Sequence, residues 1–261
     1  MDLLTTVIKA SLEAGKAIKD LYITGKIETQ VKEDMSPVTN ADLASNKIIT
    51  SHLLKTGIPI LSEENKMIPY NERKNWERLW IVDPLDGTKE FLKRNGEFTV
   101  NIALIRDKIP VLGVIYAPVA GELYFGSPDK GSNKICVEDP DSDIEKIIDN
   151  ADKLPLIYAP KSNTVAVSRS HMNKSTENYI ISRSVTAEQP YFVSRGSSLK
   201  LCMVAEGTAG YYPRFGQTME WDTAAGHAIL RNAGKSLRRI DNGEELSYNK
   251  ETPVNPDFIA E

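Results

Sequence analysis

Residues 79–98 read LWIVDPLDGTKEFLKRNGEF. The apolar run Trp80-Ile81-Val82 predicts a strand that leads straight into Asp83-Pro84-Leu85-Asp86-Gly87-Thr88, and Lys89, Glu90, Phe91 and Leu92 suit a short helix after it. Two carboxylates thus stand at the carboxyl end of a strand. Pro84 fixes its own φ and biases Asp83 toward extended geometry, so a stiff turn holds the two acids apart. Gly87 permits a tight backbone, and the free N–H groups of Gly87 and Thr88 then open a helix, a place that attracts anions and phosphate above all. Carboxylates for a hard cation beside amides for a phosphate point to metal-assisted phosphate chemistry. The same residues also make ordinary turn signals, and Thr88 has the chemistry of a plain helix cap.

Working toward the amino terminus, Ile58-Pro59-Ile60-Leu61 reads as a second short strand, delivering Ser62, Glu63 and Glu64. Adjacent acids there are either a solvated turn or convergent oxygen ligands. Before it, Thr39-x-x-Asp42 forms a capping box, with Val38 and Leu43 spaced as a hydrophobic staple, and predicts a helix through Ile48, Ile49, Leu53 and Leu54. Val31 to Pro37 is polar and reads as a loop. Leu3, Leu4, Val7, Ile8, Leu12, Ile18, Leu21 and Tyr22 recur at helical spacing, so the chain opens on an amphipathic helix that Gly25 ends.

Toward the carboxyl terminus, Phe98, Val100, Ile102 and Leu104 alternate with Thr99, Asn101 and Ala103, Arg106-Asp107-Lys108 turns the chain, and Val111–Tyr116 and Glu122–Phe125 continue an antiparallel meander. From Ser127 to Lys153 the composition shifts to Gly, Ser, Pro and acids, with a short helix expected around Ile144 to Ile148. Beyond it, strands are expected at Thr164–Val167, Tyr191–Val193 and Gly210–Tyr212, and helices around Tyr179 and Ile180, from Leu199, and from Glu220 through Leu230. The expected organisation is a helical and meander half over residues 1–130, a polar acidic connector over 131–160, and an α/β half over 161–261.

Composition narrows the function. With 261 residues, 41% hydrophobic and 26% charged, the chain has apolar material for a sizeable core. A net charge of -4 argues against a polymeric nucleic-acid partner but leaves room for a small anion in a locally positive pocket. Cys136 and Cys202, the two cysteines, show no paired spacing, which suits a reducing compartment and no cysteine metal site. Lys9, Glu13, Lys16 and Lys19 interrupt the amino terminus, and Ile109–Gly121 is too short and too rich in Pro and Gly to span a bilayer, so no signal peptide or integral membrane segment is expected. The simplest location is the cytoplasm, with peripheral association at the inner membrane as an alternative.

DPLDGTKEF resembles the signature of the inositol monophosphatase superfamily, magnesium-dependent and lithium-sensitive phosphatases, and its Lys-Glu-Phe ending is similar to the branch that hydrolyses 3'(2'),5'-bisphosphate nucleotides. WDTAAGH, beginning at Trp221, resembles that superfamily's second signature, and SPVTNAD, SEE, NGEFTVNIALI, GSSLK and YPRFG add to the likeness, which leaves out roughly Ser127 to Lys161. The resemblance implies a layered αβαβα sandwich of mixed α+β class, of the inositol monophosphatase and fructose-bisphosphatase type. It implies that Glu63, Asp83, Asp86, Asp222 and the Leu85 carbonyl bind two or three Mg²⁺ ions, that Gly87 and Thr88 hold the phosphate, and that Thr88 with Asp42 deprotonates the attacking water. It further implies that Asp222 helps protonate the leaving oxygen and that His171, Ser197, Lys200 and nearby Arg214 contact a nucleotide, with Arg169 and Arg195 also suited to its second phosphate. Ordinary alternatives for these last residues are a helix-turn histidine, a cap serine and surface cations. His227 is expected to be a satisfied buried histidine, His52 to lie on the surface, and Trp76, Trp80 and Trp221 to be core.

The implied activity is hydrolysis of adenosine 3',5'-bisphosphate (PAP) to AMP, and of its sulfated analogue PAPS to APS, in sulfate assimilation, by a monomer or homodimer. The alternatives are an inositol monophosphatase or other sugar phosphatase of the superfamily, and a nucleotide sensor without turnover.

Overall fold

A computed structural model describes residues 2–32, 35–156, 163–168, 172–183 and 189–261. The chain opens with α1 (Leu3–Thr24), capped by the Asp2 carboxylate and ended by Gly25 in the left-handed conformation at φ 69°. A short antiparallel hairpin follows, β1 (Thr29–Val31) with β2 (Pro37–Thr39), its strands flanking the stretch expected as loop and overlapping it only at Val31 and Pro37. Thr39 then caps α2 (Asn40–Leu53) in the expected box with Asp42, whereas Leu43 stays 47% exposed and so buries no staple.

The large sheet is built next. Strand β3 (Ile60–Ser62) pairs in parallel with β4 (Arg78–Asp86), the short α3 (Tyr70–Arg73) lying between them in sequence. After α4 (Thr88–Leu92) come β5 (Thr99–Arg106), β6 (Ile109–Ala117), β7 (Glu122–Ser127) and β8 (Gly131–Cys136), each antiparallel to the one before. Helix α5 (Ile144–Asp149) and strand β9 (Asp152–Lys153) complete a seven-stranded sheet in the order β3-β4-β5-β6-β7-β8-β9. Within the stretch expected as a connector, β8 and β9 are strands of the same sheet.

Alternation sends the two faces of that sheet to different partners. Trp80, Val82, Ile102, Val114 and Phe125 face α1 and α2, where Leu4, Val7, Ile8, Leu12 and Ile18 are buried, each contributing roughly 1.5–3 kcal/mol relative to exposure. Leu79, Ile81, Ala103, Ile105 and Ile115 face two later helices, α7 and α8. These belong to the last part of the chain: β10 (Thr164–Ala166), α6 (Lys174–Arg183), β11 (Tyr191–Val193), α7 (Leu199–Glu206), β12 (Tyr212–Arg214), α8 (Glu220–Asn232), β13 (Leu237–Arg239) and β14 (Phe258–Ala260). Strands β10 and β11 pair in parallel, and β12-β14-β13 form a small antiparallel sheet joined to β10 by a Val165–Tyr211 bridge. Helices α7 and α8 pack between the large sheet and these strands, and α6 covers the strands through Ile180 against Val165, Tyr211 and Ile259. The layers run helix, sheet, helix, sheet, helix, the mixed α+β sandwich expected.

Helix α8 lies close to the sheet because glycines leave room for it. A Cβ on Gly113 of β6 would stand 2.3 Å from the Ala225 carbonyl oxygen, and one on Gly126 of β7 would stand 3.1 Å from the Cα of Ile229. Among the described residues no helix is long and apolar enough to cross a membrane.

Candidate active site

The site begins at an irregularity in β4. Asp83 pairs with Asn101 and Asp86 with Thr99, so β4 carries one more residue than β5 over that interval. In a regular strand, residues three apart point to opposite faces; the extra residue reverses that parity. Both carboxylates are thereby turned to the α8 side of the sheet. There Asp222, in the first turn of α8, meets them: one oxygen from each of Asp83, Asp86 and Asp222 lies within 4.8 Å of the others. The strand thus extends through the expected turn to Asp86 instead of ending at Val82.

Each acid is also held by hydrogen bonds from the surrounding chain. Asp86 Oδ2 accepts from the Ser198 amide at 2.7 Å, from the Ser197 hydroxyl and from Asn101 Nδ2. Asp222 Oδ2 accepts from the Met219 amide at 2.8 Å, closing a capping box at the start of α8. Asp83 Oδ1 accepts from the Leu85 amide at 3.1 Å, and Ser45 pins the turn by donating to the Pro84 carbonyl at 2.7 Å. Ser197 adopts φ 55°, a conformation that a non-glycine residue seldom adopts, in order to reach Asp86.

Burial and mutual repulsion dominate the electrostatics. Burial, then the charges of Glu63, Asp86 and Asp222, raises the Asp83 carboxyl far above the ordinary range. Burial and the neighbouring Asp86 push Asp222 up to about 8, and burial raises Asp86 despite its bonds from Ser197 and the nearby Lys200. Three desolvated carboxylates facing one another, all hard oxygen donors, fit a divalent cation: it relieves the repulsion that otherwise favours their protonation.

Glu63 lies just beyond this trio. Its amide continues the parallel pairing by donating to Val82 O at 3.1 Å, and it shares a cavity of about 200 Å³ with Asp83, Leu85, Asp86, Thr88 and Asp222. Its carboxylate pairs with Lys32, whose ammonium stands 2.9 Å from Glu63 and 2.6 Å from Glu64. Burial by itself would lower the pKa of Lys32, yet the two glutamates outweigh burial and raise it. Lys32 follows β1 directly and was not among the expected site residues; a lone lysine in a polar stretch carries no local signal of the two acids it meets.

On the other side of the trio, Thr88 Oγ1 donates to Asp42 Oδ1 at 3.1 Å and lies 3.4 Å from the Leu85 carbonyl. Asp42 uses its second oxygen for the capping box, accepting from the Thr39 amide at 2.8 Å and the Thr39 hydroxyl at 2.6 Å. One carboxylate thus serves the helix start with one oxygen and Thr88 with the other, and burial raises its pKa. Gly87, at φ 94°, opens α4 beside them and lines the same cavity.

A second cavity, of about 150 Å³, shares Asp86, Gly87, Glu90 and Asp222 as its wall and continues to Ser197, Lys200, Arg195 and Arg214. Lys200 is buried and not a free surface cation: its ammonium donates to the carbonyls of Ser197 at 2.6 Å and Arg195 at 3.0 Å. Arg195 is ion-paired with Glu122 at 2.5 Å. Arg214 carries a buried Nε with no hydrogen-bond partner among the described residues. His171 and Arg169 lie outside the described residues.

Asn101, buried and bonded to Asp86 and to the hydroxyls of Thr99 and Ser198, was also not anticipated. Its signal was present, since Thr99 and Asn101 are polar residues on one face of an otherwise apolar strand. Of the residues set aside, Trp80 is core and donates to Thr56 Oγ1 at 3.0 Å, Trp221 is buried, and Trp76 is partly buried against the core. His227 is buried with Nδ1 3.1 Å from the Tyr248 hydroxyl, but its Nε2 has no partner among the described residues, so it is only half satisfied. His52 is not free on the surface: its side chain is 14% exposed and paired with Glu13 at 2.7 Å.

A family model described as the inositol monophosphatase family matches residues 2–259. The chain belongs to this family. Among its relatives, the 3'(2'),5'-bisphosphate nucleotidase CysQ of Salmonella typhimurium is 44% identical over 260 residues, covering 98% of each chain. The protein of the same name from Escherichia coli strain K12 is 42% identical over the same length and coverage. Among solved structures, CysQ from Bacteroides thetaiotaomicron, a bacterial member of this inositol monophosphatase family, superimposes with a TM-score of 0.87 at 45% identity, over 98% of this chain and 95% of that one.

Proposed function

We propose that this chain is a Mg²⁺-dependent phosphatase that hydrolyses adenosine 3',5'-bisphosphate to AMP and phosphate. The observation that carries the reading is the shared wall of the two cavities: an acid cluster suited to cations on one side, and on the other a recess bearing Arg195, Lys200 and Arg214. A substrate with two anionic groups on a compact scaffold matches that pairing, and relatives 44% and 42% identical carry the name of such a nucleotidase. PAPS, with the same two ends, is the second substrate.

In this reading Asp83, Asp86, Asp222, Glu63 and the Leu85 carbonyl hold two or three ions. When bound, these supply charge neutralisation at the phosphate and a lowered pKa for water. The chain's own residues do the rest. The amides of Gly87 and Thr88 orient the phosphoryl oxygens. Thr88 Oγ1 takes a proton from the attacking water as it passes its own to Asp42 Oδ1, and burial, by raising the pKa of Asp42, makes it a stronger base than an exposed carboxylate. Asp222 orients the water that protonates the leaving oxygen. Ser197 and Lys200 shape the nucleotide recess, Lys200 through the loop carbonyls that it holds.

Phosphate release from adenosine 3',5'-bisphosphate, inositol monophosphate and fructose 1,6-bisphosphate, each with Mg²⁺, with EDTA and with Li⁺, tests this. Turnover of the nucleotide that needs Mg²⁺ and falls with Li⁺ is expected. Efficient turnover of inositol phosphate with none from the nucleotide overturns the substrate, and binding of the nucleotide with no turnover at all favours a sensor.

A further inference from the structure

Behind the second cavity lies a chain of half-buried charges, Glu206 alone fully buried, and among the described residues none of its ion pairs involves the acid cluster or Thr88. Glu122 opens β7 and Lys134 lies in β8, and the register that pairs Glu122 with Cys136 makes the two side chains diagonal neighbours on one face. Lys134 sits 3.0 Å from Glu122 and 2.5 Å from Glu206 at the end of α7, and Glu206 also accepts from the Tyr124 hydroxyl at 2.6 Å and from Thr208 at 3.0 Å. The chain of pairs ends at Arg195, bound to Glu122 at 2.5 Å and lining the cavity.

The backbone around Arg195 is fixed independently. Lys200 holds the carbonyls of Arg195 and Ser197, and the Gly196 amide donates to Glu97 at 3.0 Å, where a Cβ on Gly196 would stand 2.6 Å from the Glu97 carbonyl. What remains undetermined by the loop is the direction of the guanidinium, and Glu122 sets it. A guanidinium has five N–H donors in a rigid fork, and Glu122 is the acid ion-paired with it, at Nη2. Two cations and two carboxylates make Glu122, Lys134, Arg195 and Glu206 neutral together; Glu122→Gln leaves them with one net positive charge, which by charge alone favours a phosphate, so a fall in phosphate affinity reads the aim of the fork.

We propose that Glu122 is a positioning residue which, by orienting Arg195 into the second cavity, sets the preference for substrates bearing a second anionic group. The inference rests on the bisphosphate reading above for its physiological meaning, but its test does not need turnover. AMP and adenosine are compared as ligands by calorimetry in EDTA, using the full chain, because their affinity ratio reads the lone phosphate. The wild type binds AMP more tightly, and Glu122→Gln lowers the ratio about tenfold, the scale of a charge-assisted hydrogen bond. Arg195→Lys, which keeps the charge and leaves the Lys134–Glu206 pair in place, lowers it similarly and serves if Glu122→Gln does not fold. A ratio unchanged in both variants, no phosphate-dependent binding by the wild type, or equal losses for AMP and adenosine overturns the proposal. If the ratio falls as expected while the wild type releases no phosphate from the bisphosphate, the substrate reading fails and the positioning role stands.

Discussion

At the scale of single residues, Asp42 shows how one side chain carries two duties that respond to different measurements. Asp42→Asn leaves one acceptor oxygen for two duties and removes the charge, so the side chain can serve either the capping box at Thr39 or the Thr88 hydroxyl but not both. The helix start costs about 1 kcal/mol in urea unfolding. The rate of phosphate release falls about 100- to 10,000-fold, the usual worth of a positioned general base. A loss of rate no larger than the stability change accounts for would remove Asp42 from the chemistry. His227 gives a pH prediction of the opposite kind. Burial, then the nearby charge of Arg231, lowers its pKa from 6.5 to about 3. The unfolded chain therefore binds a proton that the folded one refuses, so this residue's contribution to stability is complete above pH 6.5 and is lost as the pH falls toward 3. His227→Gln flattens the acid limb of a plot of urea midpoint against pH, and parallel limbs in the two proteins would show that another group governs it.

At the scale of elements, α8 does the assembling, and its distance from the sheet is set by residues that have nothing to do with the chemistry. Gly113→Ala drives a methyl to 2.3 Å from the Ala225 carbonyl, a contact that the backbone must relieve by moving the helix. The variant loses about 1–3 kcal/mol of stability, the range for overpacking. Because Asp222 rides on the same helix, the Mg²⁺ concentration for half-maximal activity rises as well; unchanged Mg²⁺ dependence in a destabilised variant would show that α8 tolerates the shift. Elements of this kind were unevenly legible in the sequence. Helices α1 and α2 declare themselves through apolar spacing, a capping box and Gly25, and the meander through alternation. Strand β8, GSNKIC, has no apolar alternation to find, since its place is decided by pairing with β7. Strands β1, β2, β13 and β14, three residues each, span a single alternation, and their partners define them. The site follows the same division: the acids were visible as strand-end and helix-start motifs, whereas Lys32 and the Glu122–Arg195 pair exist only through contacts between distant segments.

At the scale of the whole molecule, the acid cluster opposes the fold that creates it. Asp83, Asp86 and Asp222 all have raised pKa values, so without a cation the folded chain binds more protons than the unfolded one. Stability from these groups is fullest below their unfolded values near 3.8 and is lost as the pH rises through the folded values, about 8 for Asp222. A divalent cation substitutes for those protons. Mg²⁺ therefore raises the thermal midpoint relative to EDTA, and by more near pH 8 than near pH 5. An equal rise at both pH values would mean that the ion is held elsewhere.

The order in which the acids are strung along the chain has its own outcome during synthesis. Asp83 and Asp86 leave the ribosome before the strand that sets their bulge, and Asp222 follows 136 residues after Asp86 on a helix that lies between two sheets. A nascent polypeptide consequently has no finished coordination pocket to offer until Asp222 has been made and α8 has docked, so capture of the ion reports that docking.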